Sequence, residues 1–186
     1  MPIAGFSVNV LLGVWLDDLR LPLKQAMQLI APLRPEAVGI DAFTAEISPR
    51  ALAQTARRDL AQFIRSRGPS LAALRVDVGG RRLSDPQHLD VNLSRIREAL
   101  ELASDLGAAH LVVAAGYVPA ADDKENASAR ATLTEAARTL VNLASVARTR
   151  VCWLGGQEPP EVLAAFLNGV DSSSMLEVDL NPGAYM

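Results

Sequence analysis

The residues able to do chemistry fall at alternate positions of short apolar runs. In residues 176–181 (LEVDLN), Glu177, Asp179 and Asn181 share one parity, while Leu176, Val178 and Leu180 share the other. In residues 74–78 (LRVDV), Arg75 and Asp77 alternate with Leu74, Val76 and Val78, and Asp41 lies near the end of a third such run, AVGIDA. Successive side chains of a strand point to opposite faces, so each run has an apolar side and an ionisable side. Two carboxylates on one face, Glu177 and Asp179, suit a hard cation such as Mg or Mn. Asp41, Arg75, Asp77, Glu177 and Asp179 can share one cavity and hold a polar substrate there. The same residues can also pair as a buried ionic network, or stand in solvated loop mouths.

Further candidates stand in the connections. Gly79-Gly80-Arg81-Arg82 joins backbone donors to guanidinium groups, a combination suited to a phosphate or carboxylate, with Arg81 as the expected contact. Trp15 and Tyr117 follow apolar runs and either stack on a ligand or cap the core. Arg57, Arg58, Arg65 and Arg67 read as a solvated helix face. His88 belongs to a loop, and His110 opens an apolar run and reads as structural. Cys152, the only cysteine, sits between Val151 and Trp153 and reads as a buried thiol, since a nucleophile needs access and a lowered pKa.

Short apolar runs and amphipathic stretches position these residues by alternating along the chain. Strands are expected at residues 5–12, 37–42, 71–78, 110–115, 151–154 and 176–180. Between them, helices are expected from Pro22 to Leu33, from a Ser48-Pro49 start to Gly68, from an Asp90 cap to Gly107, from Ala127 to Thr149, and from Pro159-Pro160 to near Gly169. Six strands alternating with five helices imply a parallel sheet with outer helices. A doubly wound sheet brings a glycine-rich turn after its first strand, whereas residues 12–16 here read LGVWL. Such a sheet is also apolar on both faces. One polar strand face fits a (β/α)8 barrel better, since polar groups gather inside it near the C-terminal strand ends. The expected fold is a partial barrel forming a single domain over residues 1–186, because eight strands typically take about 250 residues.

The composition excludes several classes. With 18 Lys and Arg against 21 Asp and Glu, the net charge is −3, without the basic footprint of a nucleic-acid binder. No apolar stretch reaches the ~18 residues of a membrane span, and the N-terminus lacks a basic leader and a cleavage signal. The expectation is a cytoplasmic protein with neither nucleic acid nor membrane as partner. A lone cysteine excludes an internal disulfide and a multi-cysteine zinc site.

The chain resembles the xylose isomerase-like TIM-barrel superfamily, which holds sugar phosphate isomerases and epimerases and the endonuclease IV type of DNA-repair enzyme. The resemblance is carried by AVGIDA (37–42), PRALAQTARRDLAQFIRSRG (49–68), LAALR (71–75), ALELASDLGA (99–108), GGQE (155–158) and LNPG (180–183). It covers about Ile3 to Tyr185, matching the first two thirds of such a barrel, so the last two βα units are expected to be missing. It implies a metal-dependent isomerase or epimerase of a small sugar or sugar phosphate, with a divalent metal (Mn, Mg or Zn) at the C-terminal barrel mouth.

The metal ligands implied by the resemblance include a glutamate ending strand five and an aspartate ending strand six. Leu154 and Asn181 stand at those places. Glu158, four residues beyond Leu154, and Asp179, on the face of Asn181, are the catalytic groups that could take over. Asp179, Asn181 and Glu177 are the implied metal set, and Asp41, Arg75, Asp77, Arg81 and Tyr117 the expected substrate contacts. Activity is therefore expected to be impaired or lost, the alternative being a non-catalytic carbohydrate-binding or scaffold remnant. A DNA-repair site would need more histidines than His88 and His110. An open barrel exposes strand edges and part of its interior, so self-association as a homo-oligomer, a partner fragment or marginal stability is expected.

Overall fold

The computed structural model describes residues 12–78, 83–155 and 158–179. It holds six parallel strands in one sheet: β1 (Gly13–Trp15), β2 (Ala37–Asp41), β3 (Ser70–Val76), β4 (His110–Ala114), β5 (Arg150–Leu154) and β6 (Leu176–Asp179). Between them run α1 (Leu23–Ile30), α2 (Gln54–Ser66), α3 (Leu89–Leu106), α4 (Ala127–Ala147) and α5 (Pro160–Val170). Among the described residues, no helix is long and apolar enough to cross a membrane.

The spatial order of the strands is their chain order, β1 through β6. Crossovers between parallel strands are right-handed, so a sheet that never reverses its order places every helix on the same side. The apolar parity of the strands faces that side. Val38, Ile40, Leu74, Val76, Leu111, Val113, Val151 and Trp153 are buried there with Met27, Ile30, Ile64, Ile96, Leu100, Leu133, Leu140 and Phe166 from the helices. Trp153 meets Phe166 edge to face at 5.6 Å. The other face of the sheet is left to side chains, as in a barrel interior, and this is an open, partial (β/α)8 barrel.

Four details differ from the sequence expectation. The first strand expected at residues 5–12 lies outside the described residues except for Leu12; the described strand is Gly13–Trp15, inside the segment read as a turn. Ser48-Pro49 opens an isolated turn instead of α2. The Ser48 carbonyl accepts the Ala51 and Leu52 N–H groups, and the Arg57 guanidinium takes the Pro49 and Leu52 carbonyls that a continued helix would pair. Ala53 is then extended, and the helix begins at Gln54. Asp90 is a first-turn residue, because α3 is entered through His88 and held by Asp85, which accepts the Gln87 N–H and pairs with the His88 ring at 2.7 Å. The first helix is regular only to Ile30 and closes with a 3-10 turn through Leu33.

Gly39 in β2 sets how closely side chains approach the open face. A Cβ at this position would lie 2.4 Å from Cε3 of Trp15. The indole therefore rests on the backbone of the neighbouring strand, in the space a side chain would occupy. Gly39→Ala forces this packed ring to move, and overpacking of that kind typically costs about 1–3 kcal/mol. Equilibrium urea unfolding is expected to give that loss.

Candidate functional site on the open face

The C-terminal ends of β1, β2 and β3 build the first polar group. Trp15 ends β1, and the 3-10 turn Asp17–Leu19 follows it. The Asp17 carboxylate accepts the Asp41 N–H at 2.5 Å and so ties this turn to the end of β2. Arg75 is paired in register with Asp41. Its Nε donates to Asp41 Oδ1 at 2.6 Å and its Nη2 to Asp18 Oδ1 at 3.0 Å, while the guanidinium lies 4.8 Å from the Trp15 ring centre. These contacts raise the affinity of Arg75 for its proton, the Asp41 hydrogen bond contributing most. Trp15 is therefore a support for Arg75, and its ring is covered by that guanidinium.

The charges around Arg75 are mostly negative. Burial pushes the Asp17 carboxyl above its ordinary value, with Asp41 adding to the rise and the Asp41 N–H opposing it. Asp179, the last described residue of β6, is likewise raised by burial and partly brought back by the positive charge of Arg75. The two thus belong to one mouth. Opposite Asp179 in the ladder stands Leu154, at the end of β5.

Deeper on the same face lies a second polar group. Asp41, Arg75, Val112, Cys152 and Glu177 follow one another across the paired strands. Val112, nearly buried, separates Arg75 from Cys152. Glu177 turns to this deeper group: Arg150 Nη1 donates to its Oε1 at 2.6 Å, His110 Nε2 lies 3.2 Å from its Oε2, and the Cys152 thiol donates to Oε2 at 3.9 Å. Burial, reinforced by Glu177 and Asp179, pushes the Cys152 thiol up to about 12.

Of the site residues expected from the sequence, the structure brings together Asp41, Arg75 and Asp179. Glu177 shares their face but pairs with His110 and Arg150. Asp77 is exposed just beyond β3, and Tyr117 is 37% exposed in the loop after β4. Glu158 is fully buried in the turn before α5. Arg81, with Gly79, Gly80 and Arg82, lies outside the described residues, as does Asn181. Sequence reasoning missed Asp17 and Asp18 as partners of the mouth, and His110 and Cys152 as neighbours of Glu177. The available signal was parity, since Cys152 faces away from the apolar side occupied by Val151 and Trp153.

The in-order sheet and its polar open face define the class, a partial (β/α)8 barrel, similar in fold to xylose isomerase-like proteins. Solved structures carry the same arrangement. A xylose isomerase domain protein from Planctomyces limnophilus superposes with a TM-score of 0.77 at 16% identity, over 94% of this chain and 64% of the other. A D-psicose 3-epimerase from Clostridium cellulolyticum H10, solved with D-tagatose, gives 0.70 at 15% identity, over 94% of this chain and 68% of the other. A xylose isomerase-like TIM-barrel protein from Mycobacterium smegmatis, in complex with magnesium, gives 0.69 at 12% identity, over 94% and 65%. The chain thus spans about two thirds of the length of these proteins, and at such identities the likeness is one of fold. No protein-family model and no curated protein matches the sequence.

Of the metal set that the resemblance implies, Asp179 and Glu177 are described and Asn181 lies outside the described residues. Asp179 faces Leu154 in the ladder, so β5 adds no carboxylate beside it, and the guanidinium of Arg75 partly offsets the effect of burial on Asp179.

Two predictions follow from the electrostatics. Burial favours protonated Asp179 in the folded chain, so between the ordinary value of 3.8 and the raised one the folded state binds more protons than the unfolded. Asp179 therefore costs stability as pH rises through that window. Asp179→Asn is expected to raise the melting temperature at pH 7, with the difference from wild type vanishing well below pH 3.8. With its thiol near 12, Cys152 carries only ~10⁻⁴ thiolate at pH 8, so alkylation of the native chain by iodoacetamide should run about 10³-fold slower than that of a free cysteine.

Proposed function

We propose that this chain is a sugar isomerase/epimerase-like protein that receives a small sugar or sugar phosphate at the mouth of its open face, with turnover impaired or absent. The observation that carries this reading is the pairing of Leu154 with Asp179 beside an intact Arg75–Asp41 pair. Asp41 and Arg75 offer fixed acceptors and donors to sugar hydroxyls, with Tyr117 in the loop after β4 as a further contact, and Arg81 remains the contact expected from the sequence. Asp179, raised by burial, can hold or take up a proton there. Moving a proton between adjacent sugar carbons also needs an electrophile or a second acid–base group to stabilise the enediol-like state. Leucine supplies neither. Leu154 equally favours a second reading, a carbohydrate-binding protein or scaffold without catalysis. The bare Val178 on the edge strand, 39% exposed, supports self-association.

Calorimetric titration with D-psicose, D-tagatose and a hexose phosphate tests binding, and chromatography of the same mixtures tests conversion. The expected result is saturable binding, weakened at least tenfold by Arg75→Ala, with little or no epimer formed. Conversion at an ordinary enzymatic rate, about 1–10³ s⁻¹, would overturn the impaired-turnover reading. Absence of binding to all three would overturn the sugar reading and leave the scaffold.

A further inference from the structure

The deeper group on the open face plays no part in sugar recognition at the mouth, and its donor chemistry is different. His110, Cys152 and Glu177 come from three neighbouring strands, and one ligand atom of each lies within 4.8 Å of the others. Nε2 and Oε2 are 3.2 Å apart, and Sγ and Oε2 3.9 Å. A tetrahedral zinc ion, with bonds of about 2.0 Å to nitrogen and oxygen and about 2.3 Å to sulfur, sets its ligand atoms roughly 3.3–3.5 Å apart. The Nε2–Oε2 distance is already close to that spacing, and the sulfur lies within about 0.6 Å of it from Oε2.

The surroundings orient these side chains as a metal site does. His110 Nδ1 lies 3.4 Å from the Ala72 carbonyl oxygen, which accepts an N–H. With Nδ1 donating to that carbonyl, Nε2 is the nitrogen left to ligate an ion placed between it and Oε2 of Glu177. A ligating histidine typically spends its other nitrogen on a backbone carbonyl in this way. Arg150 occupies the outer oxygen of Glu177 and fixes the plane of the carboxylate, leaving Oε2 for the ion. All three ligands stand on paired strands, which hold a site more precisely than loops do. Imidazole, thiolate and carboxylate together suit zinc and its neighbours and not magnesium, which takes oxygen ligands.

We infer that His110, Cys152 and Glu177 form a three-ligand site for a zinc-class divalent ion, clipping β4, β5 and β6 together, with its fourth position turned to the open face. On binding, the Cys152 S–H bond breaks, the proton passes to solvent and a sulfur–metal bond forms, with no change of oxidation state. Three protein ligands and one exchangeable position are the arrangement of a catalytic zinc ion, as distinct from a closed structural one.

The test is a cobalt(II) titration of the reduced, chelator-treated full chain, followed by absorbance. The expected result is a thiolate-to-cobalt charge-transfer band with the visible bands of a four-coordinate ion, saturating at one ion per chain. Zinc should abolish the band and excess magnesium should leave it unchanged. Because Cys152 is the only cysteine, any such band reports on this position. Cys152→Ser should remove the charge-transfer band, and His110→Gln and Glu177→Gln, each checked for native circular dichroism, should weaken cobalt binding tenfold or more. A folded wild-type chain without the band, or a band unmoved by both His110→Gln and Glu177→Gln, would overturn the proposal. Neither result bears on sugar binding at the mouth.

Discussion

A right-handed crossover admits a helix on only one side of a sheet whose strands are added in order. Everything distinctive about this chain descends from that constraint. One face is closed by α1 to α5 and takes the apolar parity of every strand. The other receives no helix and must be furnished by side chains that tolerate partial exposure. Arg75, Asp41, His110 and Glu177 are all about one-third exposed there, a condition that suits ionisable groups and makes them available to a ligand.

That face is not electrostatically uniform. At the mouth, the single guanidinium of Arg75 is surrounded by Asp17, Asp18, Asp41 and Asp179, and burial raises Asp17 and Asp179. Deeper, Arg150 and the His110 ring meet Glu177 beside a buried thiol. Val112 stands between the two groups in the ladder. One face therefore offers two chemically distinct environments, the upper made almost wholly of oxygen and guanidinium, the lower of nitrogen, sulfur and oxygen.

The alternation of apolar runs with amphipathic stretches made the order of strands and helices readable, because burial imposes its period directly on residue type. The polar parity of β3 and β6 likewise identified which architecture the sheet adopts. What stayed hidden depends on register. Ladder hydrogen bonds join backbone groups and carry no residue identity, and the irregularity between Val38 and Gly39 shifts β2 against β3. His110, Cys152 and Glu177 therefore look unrelated along the chain, although the first opens β4 and the others are direct partners in β5 and β6. Ser48-Pro49 carried a strong helix-start signal that lost to Arg57, a residue eight positions on. Glu158 read as a possible catalytic group by its spacing from Leu154, and spacing does not report that this residue is fully buried.

The two tryptophans stand on opposite sides of the sheet. Trp153 is enclosed with Phe166 beneath the helices, whereas Trp15 lies on the open face against Gly39 and Arg75. The chain thus carries a separate native chromophore for each side. Emission from the enclosed indole follows the integrity of the helical layer, and emission from the other follows the charge and hydration around Arg75. Replacing one tryptophan at a time separates the two signals, so loosening of the open face can be told from loss of the core without any added label.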